Sequence, residues 1–167
     1  MIINNRRDAG YTIISRFEES FRELLENVLT LKYNNILENL PAGICEKANS
    51  RNNNLSFDSP TDFFDNIDFP DLKEITTYKD HFQSLIKNSL SKTEFNEVMS
   101  ELYLLRCKIA HIKGYFTSVD LNKLISLCST ISDALCLDNF NVLLEKIKTD
   151  PSSIIIKIPT DFIEDYL

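Results

Sequence analysis

Hydrophobic residues recur every three or four positions over residues 11–33, which is the spacing of one buried helix face. The members of this stripe are Ile14, Phe17, Phe21, Leu24, Val28 and Leu31. Acidic and basic residues occupy the other faces of the same segment. We therefore predict a long amphipathic helix over residues 11–33.

The same spacing predicts four more helices further along the chain. They cover residues 72–90, about 94–113, 118–137 and 139–149. Ser91 and Glu94 fit a capping box at the start of the second of these helices, and Thr117 and Asp120 fit one at the start of the third. Between residues 36 and 48 we expect one or two short helical turns that are broken at Pro41.

Two segments depart from the helical pattern. Residues 49–71 are rich in Asn, Asp, Ser and Pro but also carry large apolar side chains, among them Phe57, Phe63 and Phe64. We interpret this segment as an ordered aromatic loop with short helical turns, packed on the core. Residues 151–167 contain a run of four isoleucines, Ile154, Ile155, Ile156 and Ile158, and an acidic, aromatic end, and the isoleucine run favours extended structure.

Together these patterns predict an all-α fold. Glycine and proline are scarce, at three and five of 167 residues, which argues against a β fold with many tight turns. We expect a helical bundle of about four to six helices formed by residues 1–150, followed by a short extended C-terminal tail at 151–167.

Composition narrows the functional classes. The net charge of −7 argues against general nucleic-acid affinity, and no apolar run is long enough to span a bilayer. The N-terminus lacks the apolar core of a secretory signal, so we expect a cytoplasmic protein with no membrane association.

The four cysteines lie among apolar residues and are interpreted as small buried side chains with free thiols. His81 lies beside an apolar stripe, and we expect it at the surface or the edge of the core.

The helix predicted at 94–113 carries two apolar stripes. Phe95, Val98, Leu102, Leu105, Ile109 and Ile112 form the first stripe. Ser100, Leu104, Cys107 and His111 form the second, on the roughly opposite side. The first stripe is expected to face the core of the domain. The second is expected to face another helix of the chain or a partner subunit.

This helix also carries the candidate chemistry of the chain, which is Arg106 followed five residues later by His111. An arginine binds phosphate oxygens, and a histidine exchanges protons near neutral pH. Near an RNA 2′-hydroxyl, such a pair can drive that oxygen onto the adjacent phosphorus without a metal. On an ideal helix the two side chains lie about 140° apart. Convergence therefore requires a curled arginine, a distorted helix or a site shared between two subunits.

The surrounding charges offer a local basic window in an acidic protein. Residues 102–119 contain no Asp or Glu but include Arg106, Lys108 and Lys113. Lys108 and Lys113 are candidate substrate-binding residues for a polyanion such as RNA, although these cations can also simply offset the acidic residues upstream. A metal site that uses Cys107 and His111 is the weaker alternative, because no further ligands have suitable spacing. We predict no metal and no cofactor.

Arg106-x4-His111 late in a long helix, followed by a break and Phe116-Thr117-x-x-Asp120-Leu121, resembles the HEPN domain superfamily. The opening helix SRFEESFRELLENVL is also similar to the first helix of such domains in prokaryotic conflict and defence proteins. The resemblance covers residues 10–145. It implies an all-α homodimer with the motif at the subunit interface, in which Arg106 binds the scissile phosphate and His111 acts as acid and base. Cys107 departs from the polar residue that commonly follows the arginine in active members.

Two functions follow as hypotheses. The first is a metal-independent endoribonuclease of a toxin or phage-defence type, which acts as a dimer and leaves cyclic phosphate ends. The second is a non-catalytic HEPN-like module for dimerisation or interaction, which binds a partner protein, such as an antitoxin or effector, or a nucleotide. The net charge of −7, Cys107 and the apolar, acidic tail favour the second.

Overall fold

The computed structural model describes residues 5–52, 57, 59–87, 90–111 and 114–150, and these are all-helical without strands. The elements are α1 (Asn5–Lys32), a 3₁₀ turn (Leu37–Asn39), α2 (Ala42–Arg51), α3 (Pro60–Asp65), α4 (Phe69–Thr77), α5 (His81–Leu85), α6 (Lys92–Ala110), α7 (Ser118–Leu135) and α8 (Asp138–Thr149). The all-α prediction is confirmed, but the described residues form eight α-helices where four to six were expected. The C-terminal tail at 151–167 lies outside the described residues.

Helix α1 is the central element of the bundle, and it packs against α3 to α8. Its fully buried residues include Ile13, Phe17, Phe21, Leu25 and Leu29, which recur every four positions. A step of four residues turns about 40° more than one full helical turn, so the buried line rotates slowly around α1. Leu31 therefore faces solvent and is 90% exposed, so its assignment to the buried stripe is wrong.

The capping boxes predicted for α6 and α7 are both present. The Ser91 hydroxyl accepts a hydrogen bond from the Glu94 N–H, and the Glu94 carboxylate accepts one from the Ser91 N–H. Thr117 and Asp120 make the same reciprocal pair at the start of α7. These pairs satisfy backbone donors that have no partner within the helix, and so they fix where each helix begins.

The single helix predicted over residues 72–90 is wrong, because the chain breaks between α4 and α5. Lys79 adopts a left-handed backbone conformation with φ of +49°, which ends the helical path. The reversal turns His81 into the core, where the side chain is completely buried. Phe63 and Phe64 of α3 and Phe69 of α4 are also buried and belong to the same core.

Candidate functional site

Arg106 lies in the last two turns of α6 and is tied to α1 by an ion pair. Its Nε donates a hydrogen bond of 2.5 Å to Glu18 Oε1. Glu18 is almost fully buried and also accepts a 3.0 Å hydrogen bond from Arg22 through its other carboxylate oxygen. Burial lowers the pKa of Arg106, but the Glu18 hydrogen bond and charge outweigh that effect and raise the pKa above its usual value. Arg106 is therefore a fixed cation.

The outer side of Arg106 borders an aromatic pair. The guanidinium carbon lies 6.0 Å from the centroid of the buried Phe69 ring, within the range of a cation–π contact. The Tyr103 ring stacks on the same phenylalanine at 6.2 Å between centroids. Among the described residues, none accepts a hydrogen bond from the two terminal nitrogens of Arg106, and a third of the side chain is exposed. The Nε anchor thus leaves the edge of the guanidinium that carries the two terminal nitrogens without a hydrogen-bond acceptor among the described residues.

His111 is the residue at which α6 ends. Its N–H donates to the Cys107 carbonyl at 2.9 Å, and its ψ of 120° then takes the chain out of the helix. The side chain is exposed, and no hydrogen bond joins its ring to any described residue. The imidazole is therefore accessible from solvent, as an acid–base group at a substrate site must be.

One copy of the chain does not bring Arg106 and His111 together. Because the His111 N–H still bonds within α6, its Cβ keeps the helical direction, about 140° around the axis from that of Arg106. The two residues are also about 7.5 Å apart along the axis. The Arg106 side chain is held toward α1 by Glu18 and so cannot curl around the helix without breaking that ion pair.

Of the two candidate substrate-binding lysines, the structure describes Lys108, and this lysine is engaged in an ion pair. The Lys108 ammonium is 2.7 Å from Asp120 Oδ2, and this hydrogen bond holds the pKa of the Asp120 carboxyl below its usual value. Asp120 is also the acidic member of the α7 capping box, so Lys108 is engaged in linking α6 to α7. Lys113 lies outside the described residues. The basic window is therefore partly neutralised within the fold.

The second stripe of α6 faces away from the core of its own chain. Leu104 is 69% exposed, Ser100 and His111 are exposed, and Cys107 is half-buried. Leu104 lies between two ion pairs that join α6 to α7, Lys108 with Asp120 and Glu101 with Lys123. An apolar side chain framed by ion pairs is a common arrangement at the centre of a polar-rimmed contact surface.

The other candidate chemistry of the chain is structural. His81 is buried, against the expectation of a surface or core-edge position, with Nδ1 2.7 Å from the Ile75 carbonyl and Nε2 3.1 Å from the Tyr33 hydroxyl. Cys128 is buried as expected, Cys45 and Cys107 are half-buried, and Cys136 is exposed, which corrects its assignment to the core. Within the described ranges, no three His, Cys, Asp or Glu side chains are grouped as metal ligands.

Glu18 is the site residue that the sequence interpretation missed. It falls four residues after Ile14, on the edge of the apolar face of α1, and an acidic side chain in that place needs a cation. That signal was present in the sequence, although it does not identify Arg106 as the partner.

Comparison with known proteins adds no relative. The sequence matches no family model, and it has no significant match among curated proteins or solved structures. Of the helices that the structure describes, none combines the length and the apolar character needed to cross a bilayer.

Proposed function

We propose that this protein is a metal-independent endoribonuclease that acts as a homodimer, with Arg106 and His111 as its catalytic residues. The observation that carries the proposal is the orientation of Arg106. A buried carboxylate holds the guanidinium through Nε, and the two terminal nitrogens are left without a partner among the described residues. Two parallel N–H groups of that kind match two oxygens of a phosphate.

The charge around Arg106 also supports an anion site. Glu18, Arg22 and Arg106 together carry a net charge of +1, and the nearby Asp68 carboxylate, which also raises the pKa of Arg106, is paired with Arg51. Arg22 Nε is buried without a hydrogen-bond partner among the described residues. In partly desolvated surroundings such an excess of positive charge attracts a phosphate more strongly than it would in water.

The proposed reaction is an intramolecular transesterification of the RNA backbone. The imidazole of His111 takes the proton from a 2′-hydroxyl as its oxygen attacks the adjacent phosphorus. The P–O5′ bond breaks, the departing 5′-oxygen receives a proton from a protonated imidazole, and the products are a 2′,3′-cyclic phosphate and a 5′-hydroxyl. The Arg106 terminal nitrogens stabilise the charge that builds on the non-bridging oxygens.

A dimer formed through the second stripe of α6 explains how two residues that point apart can share a substrate. A twofold axis that crosses α6 near Cys107, which belongs to the same stripe, places the stripes of the two chains against each other in antiparallel order. The His111 of one subunit then lies about 4.5 Å along the helix from the Arg106 of the other. His111 belongs to that stripe, so the axis brings the His111 of one subunit toward the α6 of the other. The substrate is then bound by an arginine and activated by a histidine from different subunits.

A cleavage assay tests the proposed activity. The purified protein is incubated with a mixture of single-stranded and hairpin RNA in EDTA, and the end groups of the fragments are identified by mass spectrometry. We expect cleavage with cyclic phosphate ends by the native protein and by Arg16→Ala, which removes an exposed arginine whose partner is the exposed Glu19. Activity that is unchanged in Arg106→Ala and His111→Ala contradicts the proposal.

A second candidate function, a non-catalytic interaction module, is favoured by a separate observation. Leu104, Tyr115 and Val119 are all more than two-thirds exposed, at 69%, 87% and 73%, and lie on α6, the segment after it and α7. Exposed apolar side chains in neighbouring elements are typical of a protein-binding surface. In this alternative the surface binds an antitoxin or effector protein. It is contradicted if Arg106→Ala and His111→Ala fold normally and keep partner binding but abolish a cellular effect such as growth arrest.

A further inference from the structure

The end of α6 is held by a residue near the start of the chain. The Arg7 guanidinium donates to the His111 carbonyl at 2.9 Å and to the Gly114 carbonyl at 2.6 Å. A third, longer hydrogen bond of 3.4 Å joins it to the Ile109 carbonyl. One cation in the first turn of α1 thus binds three carbonyl groups, one before His111, one at His111 and one after it, and His111 is where the chain leaves α6.

Two of these carbonyls, those of Ile109 and His111, are groups that a helix end leaves without a partner. The last four carbonyls of an α-helix have no donor within the helix, and a glycine directly after the helix usually supplies the turn that satisfies them. Here the residue at that place is His111, with extended ψ, and the glycine with positive φ, Gly114, comes three residues later. Arg7 takes over the role of the missing cap, and a positive charge at a helix C-terminus is also favoured by the helix dipole.

A second contact holds the same region independently of Arg7. Gly10 lies about one turn further along α1, where a Cβ atom would be only 2.8 Å from the Phe116 ring and 3.1 Å from the Ile109 side chain. The absence of a side chain at Gly10 therefore lets the chain after α6 pack directly on the backbone of α1. Phe116 is buried in that contact, at 2% exposure. Residues on both sides of His111 are thus fastened to the same two turns of α1.

We infer that Arg7 is a positioning residue for His111, and this inference rests on the proposed ribonuclease function. Arg7 does not touch the imidazole, but it fixes the carbonyl of the same residue and that of Gly114. Loss of these bonds leaves the Ile109 and His111 carbonyls to water. The Gly10 contact still holds Ile109 and Phe116, so it is the position of His111 between them that is free to shift, and the His111 ring changes place relative to Arg106. Arg106 itself is held by Glu18, eleven residues further along α1, and stays where it is.

The test compares Arg7→Gln and Arg7→Lys with the native protein, with Arg6→Gln as the matched control. Arg6 is an exposed neighbour on the same helix, so its substitution removes the same charge without touching the end of α6. The chain has only two histidines, and His81 is buried, so the two imidazole signals in a proton–nitrogen NMR spectrum are assigned with one variant, His111→Gln. We expect Arg7→Gln to displace the His111 signals and to leave those of His81 unchanged.

In the cleavage assay Arg7→Gln is expected to lower kcat by about 10- to 100-fold, because a small misplacement of a catalytic group has effects of that size. KM is expected to change little, since the phosphate-binding Arg106 is untouched. Arg7→Lys keeps the charge and is expected to recover part of the rate. His111 signals and kcat that are the same in Arg7→Gln as in Arg6→Gln overturn the inference.

The NMR and kinetic measurements separate this inference from the proposed function. Displaced His111 signals in a protein whose native form cleaves no RNA support the positioning role and contradict the ribonuclease proposal. A native protein that cleaves RNA, together with an Arg7→Gln variant that is unchanged in both measurements, supports the ribonuclease proposal and contradicts the positioning role of Arg7. A thermal unfolding curve on each variant ensures that the compared samples are folded.

Discussion

Glu18 and Arg106, which are 88 residues apart in sequence, form an ion pair of 2.5 Å between the middle of α1 and the end of α6. The carboxylate is almost completely buried, and the guanidinium is partly exposed. The Nε of Arg106 ties two helices together, and its two terminal nitrogens have no hydrogen-bond acceptor among the described residues. The structural and the proposed catalytic roles of Arg106 can therefore be separated by experiment.

Glu18→Gln tests the structural role of the pair. The substitution keeps the shape of the side chain but removes the charge shared by Arg22 and Arg106, which leaves two partly buried cations without an anion. We expect the free energy of unfolding to fall by about 1–3 kcal/mol, as for the loss of a buried charged partner. Urea unfolding at neutral pH measures this change.

The neighbouring Glu19→Gln is the matched control for that measurement. Glu19 pairs with Arg16 at 2.9 Å, but both side chains are mostly exposed, and exposed pairs contribute at most about 1 kcal/mol. Equal losses of stability in Glu18→Gln and Glu19→Gln contradict a special role for the Glu18 ion pair.

Gly10→Ala tests the close packing of α1 against the segment after α6. The added Cβ meets the buried Phe116 ring at 2.8 Å, so the ring or the helix has to move. We expect a loss of about 1–3 kcal/mol in unfolding free energy, which is typical of overpacking in a well-packed core. Gly43→Ala in α2 is the control, because the residue is exposed and a Cβ atom added there has no neighbour within 4 Å. Alanine is the better helix former, and Gly43→Ala is expected to raise stability by up to about 1 kcal/mol. Stabilisation of the protein by both substitutions would contradict a tight contact between Gly10 and Phe116.

The stability of the protein is expected to depend on pH through His81. Burial lowers the pKa of this histidine, so the folded protein holds it neutral at pH values where the unfolded chain already binds a proton. The surrounding groups are Lys32 at the end of α1 and Tyr33 directly after it, with Tyr78, Lys79 and Asp80 from the segment before α5. Because the unfolded state binds more protons, stability is greatest above the unfolded pKa of about 6.5 and declines as the pH falls toward the folded pKa.

Urea unfolding between about pH 7.5 and pH 5.5 measures this effect, with a slope of at most about 1.4 kcal/mol per pH unit for one proton. His81→Gln is expected to be less stable at neutral pH and to lose most of the slope, whereas His111→Gln keeps it. A native protein with constant stability over this range would show that His81 protonates equally well in both states.

Leu104→Glu tests the proposed dimer contact. Leu104 is 69% exposed and lies on the second stripe of α6, so a charge there is tolerated by the monomer but is buried in the contact of a dimer formed through that stripe. We expect the native protein to sediment as a dimer and the variant as a folded monomer without cleavage activity. Val142→Glu is the control, since Val142 is 58% exposed on α8, away from this stripe. A native protein that is monomeric at high concentration removes the basis of the shared site.

Local signals in the sequence predict much of the helical structure. Apolar spacing and the reciprocal pairs Ser91–Glu94 and Thr117–Asp120 are short-range features, and they place the starts of α6 and α7 to within about two residues. The break at Lys79 was missed because no glycine or proline marks it. The exposure of Leu31 was missed because a fixed stripe ignores the slow rotation of the buried line around α1.

The candidate site was predicted only in part, because its main contacts are long-range. The sequence identified Arg106 and His111 by residue type and spacing, but the partners that hold them, Glu18 and Arg7, lie on α1, about a hundred residues away. A carboxylate on the edge of an apolar helix face signals that a cation is needed, but only the packing of α1 against α6 determines which one. The packing of α6 against α7 likewise commits Lys108 to Asp120, which spacing along the chain could not reveal.

Complementation between two inactive variants tests whether one site is shared between two subunits. Arg106→Ala and His111→Ala are purified separately, mixed under conditions that allow subunits to exchange, and assayed with RNA in EDTA. In a mixed dimer, one site combines an intact Arg106 from one subunit with an intact His111 from the other. With half of the dimers mixed and one of two sites restored in each, the account predicts recovery of about a quarter of the native rate. A mixture that exchanges subunits and remains as inactive as either variant alone would contradict a site shared across the dimer.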